Sequence, residues 1–169
     1  DNITYEYLKK DLPISIVGLK YFNVYGPKEF FKNKTASMVV QFGHQILKGV
    51  TPKLFVGSDK ILRDFIYIED IIQANIKACK PKKSGVYNVG TGNARSFEDI
   101  VNILQKELEI DNGKEYIPNP YVGSYQFFTE ANILTTKKFL DYEPRFSLED
   151  GIKAYIPEIK RLFAEEVKW

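Results

Sequence analysis

Cysteine, histidine, methionine and tryptophan each occur only once in the 169 residues of this sequence. A single cysteine, Cys79, excludes a disulfide within the chain. Its position on an apolar helix face predicts a buried thiol in a reducing compartment, and therefore a cytoplasmic protein. One histidine and one cysteine also supply too few of the ligands that zinc prefers, so no metal site is expected.

An excess of charge and a long apolar run are also lacking. The 24 lysines and arginines nearly balance the 22 aspartates and glutamates, and a net charge of +2 is too small to favour nucleic acid or an acidic membrane as a partner. No apolar run approaches the roughly 18 residues of a membrane span, so membrane insertion is not expected. The chain opens with DNITYEYLKK, without a methionine or a signal peptide, and we expect it to be a fragment of a longer protein.

What the sequence does contain is an alternation of strand and helix patterns, which is typical of the α/β class. Residues 14–22 form an almost continuous apolar run and predict a strand that is buried on both faces. Shorter strands are predicted at 52–57, 61–68, 85–89 and 115–118. Helices are predicted at 35–49 and 131–140 and after Asp70, Ser96 and Ser147.

Details of three helices are also predicted. In the helix at 35–49, Thr35 would be the cap and His44 would face solvent. The helix after Asp70 would bury the face that carries Cys79 together with Ile72 and Ile76. The helix after Ser96 would begin with an approximate capping box, and Pro157 in the last helix predicts a kink or a restart.

The stretch YFNVYGPKEFFKNK, residues 21–34, follows the exit of the first strand. Asn23 and a Gly26-Pro27 turn lead into a loop that carries three lysines, Lys28, Lys32 and Lys34. Open α/β sheets bind ligands at the carboxyl ends of their strands, which is where this stretch lies. The pattern alone leaves two interpretations open, a ligand site and a solvated surface loop.

Several sequence blocks resemble a known family. YFNVYGP and RDFIYIED resemble the C-terminal half of the extended short-chain dehydrogenases/reductases that act on nucleotide sugars. GPKEFFK, PKLFVGS, YIPNP and SYQFFTEA, which follow in order within residues 19–131, are similar to the ADP-glycero-manno-heptose 6-epimerases. The implied fold is the C-terminal part of a Rossmann-type α/β protein with a smaller substrate-binding domain.

The resemblance implies two interleaved domains. The last part of the Rossmann sheet would take about residues 1–30 and 61–95, and the sugar-nucleotide-binding domain about 31–60 and 96–169. The N-terminal cofactor-binding half, with the glycine-rich turn and the catalytic Tyr-x-x-x-Lys pair, is expected upstream. Tyr5 and Lys9 are interpreted as a chance match to this pair, and Gly90-x-Gly92 as a tight turn.

The implied activity is the NADP-dependent epimerisation of ADP-D-glycero-D-manno-heptose to its L-glycero epimer, by transient oxidation at C6″, in lipopolysaccharide precursor synthesis. The resemblance also implies an isomerase that is a homo-oligomer, with this fragment inactive by itself. Two alternatives remain open. One is another nucleotide-sugar epimerase or dehydratase that uses UDP- or dTDP-sugars, and the other is a non-catalytic sugar-nucleotide-binding fragment.

Lys32 is the residue to which the resemblance gives a catalytic role. It follows the glycine of NVYGP by six positions, where the family has a second base that also contacts the cofactor, and the partner tyrosine would lie upstream. An epimerase that oxidises a carbinol and reduces it from the other face acts on alcohols of both configurations, and one fixed side chain reaches only one of them well. A lysine can serve as a base where its pKa is lowered toward neutrality.

The other site residues are implied as contacts. Asn23 would bind the substrate, the Val24 backbone would contact the nicotinamide, and Arg63 would bind the diphosphate with its forked donors. Four consecutive residues would surround the adenosine: Phe55, Val56, Gly57 and Ser58. Tyr125 would form a hydrogen bond with the sugar nucleotide.

Four further residues complete the expectations. Asp64 and Asp70 are interpreted as structural acids, one at a strand edge and one at a helix cap. Lys34 and Gln41 differ from the residues that the family often has at these positions, a small hydroxyl residue and a histidine. These two differences leave the identity of the sugar open.

Overall fold

The computed structural model describes residues 2–10, 12–120 and 126–165. Within these ranges the chain forms six α-helices: α1 (Asn2–Leu8), α2 (Met38–Leu47), α3 (Ile68–Ala78), α4 (Phe97–Leu108), α5 (Leu134–Leu140) and α6 (Leu148–Ala164). It also forms seven strands: β1 (Val17–Tyr21), β2 (Asn23–Tyr25), β3 (Lys53–Phe55), β4 (Leu62–Tyr67), β5 (Gly85–Val89), β6 (Ala94–Ser96) and β7 (Glu115–Ile117). Two short 3-10 helices occupy Phe30–Thr35 and Ser58–Lys60.

The strands are grouped into three small sheets in the described ranges. β1 pairs in parallel with β5, and β3 pairs in parallel with β7. The third sheet has the order β2-β4-β6, in which β2 and β4 are parallel and β6 is antiparallel to β4. This architecture confirms the predicted α/β class, and the predicted strand at 85–89 has the observed bounds of β5.

β1 is shorter and more exposed than the sequence predicts. It covers only five residues of the apolar run, and Lys20 and Tyr21 at its end are exposed. Within the described part of the chain, β1 pairs with no strand other than β5, so only one of its edges is covered. The prediction of a strand buried on both faces is therefore wrong for the chain as described.

Two hydrophobic clusters lie on opposite faces of the β2-β4 pair. Because side chains alternate along a strand, Phe65 and Tyr67 of β4 face the first cluster and Ile66 faces the second. The first cluster contains the apolar sides of α2, α4 and α6, and the second contains those of α3, α5 and β5. Each fully buried Leu, Ile or Phe stabilises the fold by about 1.5–3 kcal/mol, so these clusters supply most of its stability.

The predicted capping box of α4 is present, whereas the predicted cap of α2 is not. Ser96 accepts a hydrogen bond from the Asp99 amide and Asp99 accepts one from the Ser96 amide, which is the predicted capping box. Ser147 caps α6 by accepting from the Asp150 amide. Thr35 does not cap α2, because its hydroxyl donates to the Lys32 carbonyl inside the preceding 3-10 helix and α2 begins after Ser37.

Two predictions about side-chain exposure are wrong. His44 is buried, because α2 packs against both α4 and α6 and therefore has two covered sides. Cys79 is exposed, and so are Ile72 and Ile76, which share its helix face. α3 instead packs against the second cluster through Ile71 and Ala74.

The longest described helix is α6, with 17 residues. It continues through Pro157, so of the kink or restart that the sequence predicts at this residue, the restart does not occur. Its buried residues recur at helical spacing and include Ile152, Ile156 and Ile159. None of the helices in the described ranges is long and apolar enough to cross a membrane.

Candidate functional site

Three of the predicted site residues, Asn23, Val24 and Arg63, lie on the β2-β4-β6 sheet. Asn23 is opposite Phe65 in the parallel β2-β4 pair, and Val24 is opposite Ile66. Paired residues of neighbouring strands project from the same face, so Asn23, Arg63 and Phe65 share the face of the first cluster. Asn23 is exposed at the end of this face, and Val24, half-buried, projects toward the second cluster.

The cationic loop starts where β2 ends. Gly26 has φ +142°, and a Cβ at this position would come within 2.6 Å of Cγ2 of Ile68, so the close approach to α3 requires glycine. Lys32 lies on the 3-10 helix Phe30–Thr35, and its side chain is exposed. The neighbouring Phe31 is also 66% exposed, so the apolar residues of the loop do not bury Lys32 here.

An apolar cavity of about 160 Å³ lies beside β3. Its wall combines residues of α2, β3 and α4 with the segment between β3 and β4, and consists of Met38, Phe42, Lys53, Leu54, Phe55, Ser58, Ile61 and Phe97. The volume is below the roughly 300 Å³ of sites that enclose a drug-sized ligand. The cavity therefore suits one flat ring system rather than a whole sugar nucleotide.

The four predicted adenosine contacts differ in their positions. Phe55 and Ser58 line the cavity, whereas Val56 is 65% exposed and is not part of its wall. Gly57 has φ +79°, and this left-handed turn brings the chain back toward the cavity. Ser58 is 1% exposed, and its Oγ has no hydrogen-bond partner among the described residues. A buried hydroxyl without a hydrogen-bond partner costs free energy unless a ligand supplies that partner.

Arg63 is 9% exposed and binds backbone carbonyls. Its Nη1 donates to the Leu62 carbonyl at 2.9 Å, and its Nη2 donates to the Gln126 carbonyl. The segment that begins at Gln126 runs along the start of β4, where the Leu62 amide donates to Phe127 and the Thr129 amide donates to Leu62. Arg63 thus joins β4 to the residues that directly follow Tyr125 in the sequence, and Tyr125 itself lies outside the described residues.

The cavity, Arg63 and Asn23 form a line along one face of the sheet. Ile61 already has an extended backbone, with φ −93° and ψ 99°, so Ile61, Arg63 and Phe65 project from the same side. Ile61 lines the cavity, and Asn23 is opposite Phe65. Four residues of strand at about 3.3 Å each separate the two ends of this line by roughly 13 Å. The order along the sheet is therefore apolar cavity, arginine, amide and cationic loop.

The Gly90-Thr91-Gly92 turn is not a phosphate cradle. The amides of Thr91 and Gly92 donate to the two carboxylate oxygens of Asp64 at 2.8 and 2.9 Å, so they are not available to an anion. A Cβ on Gly90 would come within 2.6 Å of the same carboxylate. The interpretation of this segment as a tight turn is confirmed, as is the structural role of Asp64, which is fully buried.

Asp70 is structural, but it is not the helix cap that the sequence suggested. Its buried carboxylate lies in the first turn of α3 and accepts from the amides of Arg145 and Phe146 at 3.0 and 3.1 Å. It therefore fixes the chain just before α6. Gln41 is one of the two residues that differ from the family pattern. Its side-chain amide donates to the Ala36 carbonyl at 2.7 Å and so helps to hold the chain just before α2.

Sequence reasoning missed several residues of this region. Met38 and Phe42 line the cavity, but their spacing gave only a helix-core pattern, and Phe97, which also lines it, was part of no predicted pattern. Glu29 in the cationic loop is 5% exposed, and an acid between Lys28 and Phe30 had no sequence signal for burial. The only hint in the sequence was that Glu29 follows Gly26, the first residue of the Gly-Pro turn, by three positions.

Comparisons with known proteins show which family the chain resembles. The NAD dependent epimerase/dehydratase family matches residues 1–90. An ADP-L-glycero-D-manno-heptose-6-epimerase from Brachyspira hyodysenteriae is 39% identical over 149 residues, which are 86% of this chain and 46% of the relative. The chain therefore spans about half the length of the curated relative that it matches.

Solved structures give the same picture. The crystal structure of the ADP-L-glycero-D-manno-heptose-6-epimerase from Helicobacter pylori matches 94% of this chain and 48% of that chain, with a TM-score of 0.84 and 48% identity. A UDP-glucuronic acid 4-epimerase from Bacillus cereus, crystallised with a fluorinated UDP-sugar and NAD, has a TM-score of 0.80 and 30% identity over 95% of this chain and 50% of that chain. These likenesses confirm the resemblance that the sequence blocks indicated.

Proposed function

Since the chain belongs to the NAD dependent epimerase/dehydratase family, we propose that its protein converts ADP-D-glycero-D-manno-heptose to the L-glycero epimer by transient oxidation at C6″. The identities of 39% and 48% to two ADP-heptose epimerases, against 30% to a UDP-sugar epimerase, favour this substrate. The observation that carries the proposal is the line of cavity, Arg63 and Asn23 along one sheet face. Its order matches the order of base, diphosphate and sugar in a sugar nucleotide.

Each part of this line has a proposed role. The adenine ring would lie in the apolar cavity against Phe55, with the Ser58 hydroxyl as a hydrogen-bond donor or acceptor to the ring. Val56 and Gly57 would contact the adenosine from the turn outside the cavity. Arg63 would bind the diphosphate, Tyr125 would donate to the sugar nucleotide beside it, and Asn23 would bind the heptose.

A nicotinamide dinucleotide is the proposed cofactor, and NADP is the form that we propose. This chain would contact only its nicotinamide end, through Val24 in β2 and the exposed Lys32 in the loop that follows β2. The Gly90–Gly92 turn does not fit a pyrophosphate, because Asp64 occupies its amides. The chemistry that this cofactor would supply when bound is hydride transfer from the sugar and back to it.

The proposed role of Lys32 is to move a proton at the C6″ oxygen of one epimer. Its Nζ, as the neutral amine, would accept the hydroxyl proton during oxidation and return it during reduction. A tyrosine upstream of this chain would do the same for the other epimer. In the described residues Lys32 is exposed, so the burial that a lysine base requires would come from the bound substrate and cofactor.

The test is the exchange of Lys32 for glutamine in the protein expressed from its complete gene. Steady-state rates in the two directions are tied by the equilibrium constant, so the informative measurement is the single-turnover reduction of bound cofactor by each epimer separately. We expect Lys32→Gln to slow this half-reaction roughly 10²–10⁴-fold for one epimer and to leave the other nearly unchanged. Lys28→Gln, which removes an exposed charge from the same loop, is the matched control.

Three outcomes contradict parts of this proposal. Equal slowing for both epimers with weaker cofactor binding would reduce Lys32 to a cofactor contact. Turnover of UDP- or dTDP-sugars in place of the ADP-heptose would favour another nucleotide-sugar epimerase or dehydratase. Binding of ADP-heptose without any reduction of cofactor would favour a binding protein without catalysis. Light scattering of the same sample tests the proposed homo-oligomer.

A further inference from the structure

Glu29 ties the two ends of the cationic loop together. Its Oε2 accepts from the Ser37 amide at 2.8 Å, and its Oε1 accepts from the Ser37 hydroxyl at 2.7 Å. The same Oε1 accepts from the Gly26 amide at 3.4 Å. Gly26 directly follows β2, and Ser37 directly precedes α2, so one carboxylate joins the strand exit to the helix entry.

The loop between these two residues is strained. Lys28 has φ 69° and Asn33 has φ 49° with ψ −127°, conformations that residues with a Cβ rarely adopt. Strain of this kind persists only where the surrounding structure over-determines the backbone, and it occurs often at functional sites. The hydrogen bonds of Glu29 supply that constraint at both ends of the loop.

Lys32 is connected to this arrangement through its backbone. Its amide donates to the Glu29 carbonyl at 2.9 Å, and its carbonyl accepts from the Thr35 hydroxyl at 2.7 Å. The Ala36 amide donates to the Asn33 carbonyl at 2.9 Å and closes the next turn. The position of Lys32 therefore depends on the residue whose carboxylate closes the loop.

The carboxylate of Glu29 is buried against α6. Burial first, and then the nearby Glu29 carboxylate, raises the pKa of Tyr155 on α6 above its ordinary value. The amides of Gly26 and Ser37 and the Ser37 hydroxyl, which donate to Glu29, are neutral groups. Burying a carboxylate is costly unless hydrogen bonds replace its water, so these donors hold the side chain in one orientation.

We infer that Glu29 is a positioning residue, which holds the loop of residues 27–36 in the one conformation that presents Lys32 to the substrate. The inference rests on the proposed function for the role of Lys32. It goes beyond that role by making the proton transfer depend on a carboxylate that touches neither substrate nor cofactor. A displacement of about 1 Å at a reacting group costs on the order of 10²-fold in rate.

The experiment compares Glu29→Ala and Glu29→Asp in the protein expressed from its complete gene. We expect Glu29→Ala to slow the half-reaction that requires Lys32 by about 10²-fold, with little change for the other epimer. Hydrogen exchange should rise at the amides of residues 26–37 and not in α4. Glu29→Asp keeps the charge and should restore part of the reaction rate and part of the protection from exchange. Glu107→Gln on α4, which removes a half-buried carboxylate elsewhere, should change neither.

The outcomes separate the inference from the proposed function. Unchanged exchange in residues 26–37 of Glu29→Ala, or raised exchange with both half-reactions intact, would overturn the positioning role. A Lys32→Gln variant with full activity would instead overturn the role of Lys32, while the exchange measurement alone decides whether Glu29 closes the loop. If Glu29→Ala does not fold, Ser37→Ala removes one donor, keeps the carboxylate and should raise exchange in the same residues.

Discussion

His44 is a buried histidine with a defined partner. Its Nε2 lies 3.2 Å from the Ile159 carbonyl of α6, and its ring meets that of Phe163 edge-on at 5.9 Å between centroids. Burial lowers the pKa of His44 below its ordinary value of 6.5, the hydrogen bond to Ile159 opposes this shift, and the nearby charge of Lys48 adds to it. The imidazole therefore joins α2 to α6 in its neutral form.

The stability of the protein should depend on this histidine below neutral pH. Because folding lowers the pKa of His44, its contribution is complete above the unfolded pKa of about 6.5 and is lost as the pH falls through the lower folded value. The ring protons of His44, assigned by their absence in His44→Gln, should give a midpoint below 6.5 in an NMR titration. The free energies of unfolding of wild type and His44→Gln, measured with urea, should then become more similar as the pH falls from about 8 to about 5.

A midpoint at or above 6.5, or an identical pH dependence in His44→Gln, would contradict this prediction.

The carboxylates that share Arg95 provide an internal comparison at lower pH. The hydrogen bond from Arg95 is the main cause that lowers the pKa of Glu149. Its contribution is lost only when the pH falls below the ordinary range of a glutamate, so the two effects occur in different pH windows.

Single residues were predictable from the sequence where the signal is local. The Ser96-Asp99 box needs only residues three apart, and it was found. The burial of His44 and of Glu29 depends on α6, more than 100 residues away in the sequence, and no local pattern contains that information. Lys32 and Asn23 were indicated by resemblance, and their roles stay predictions.

At the scale of elements, Gly151 lets α6 pack closely against Tyr25, the last residue of β2. A Cβ on Gly151, in the first turns of α6, would lie 2.0 Å from the Tyr25 hydroxyl oxygen and 2.9 Å from its Cζ. The same hydroxyl donates to the Leu148 carbonyl at 3.4 Å. Glycine at this position therefore allows α6 to pack directly on the end of β2, from which the cationic loop departs.

Gly151→Ala should destabilise the protein although alanine is the better helix former. The helix gain of about 1 kcal/mol is smaller than the cost of overpacking, about 1–3 kcal/mol, because Tyr25 is fully enclosed by the first cluster. Urea unfolding of Gly151→Ala measures the net loss. In the double variant with Tyr25→Phe the 2.0 Å contact is gone and part of the stability should return, while a strictly additive result would argue against this contact.

Element types were predictable, but their partners were not. Apolar patterns gave β4, β5 and β7 and the helices α4 and α6 with small errors at the ends. The same patterns placed the face of α3 wrongly, because Ile72, Ile76 and Cys79 have helical spacing and are nevertheless exposed. Periodicity identifies an apolar face without showing what covers it.

At the scale of the whole molecule, β4 connects the two clusters. Phe65 and Tyr67 belong to the first cluster and Ile66 to the second, so neither cluster is complete without this strand. Ala131, Ile133 and Leu140 pack with the second cluster and thus with β5. The proposed division into two interleaved domains stays a proposal, and α5 packs with the part assigned to the Rossmann sheet.

Truncation in one cluster should therefore weaken the other. Leu104 is fully buried in the first cluster, and Leu104→Ala should cost about 2–5 kcal/mol. Because β4 is shared, we expect the protection factors of β5 in the second cluster to fall by a similar free energy in hydrogen-exchange measurements. Leu140→Ala, in the second cluster, is the reciprocal variant. Loss of protection confined to α2, α4 and α6 would indicate two independently unfolding domains.

The parallel pairing of strands bears on how fast the chain folds. Val17 pairs with Gly85, Asn23 with Phe65, and Lys53 with Glu115, so each described parallel pair joins residues more than forty positions apart. Ordering such long loops costs entropy before any contact compensates for it, and chains with this topology fold in roughly milliseconds to seconds rather than microseconds. Helices such as α4, whose capping box is local, form on a much shorter timescale. During that interval the apolar residues of β1 are without β5, and association between unfinished chains competes with folding.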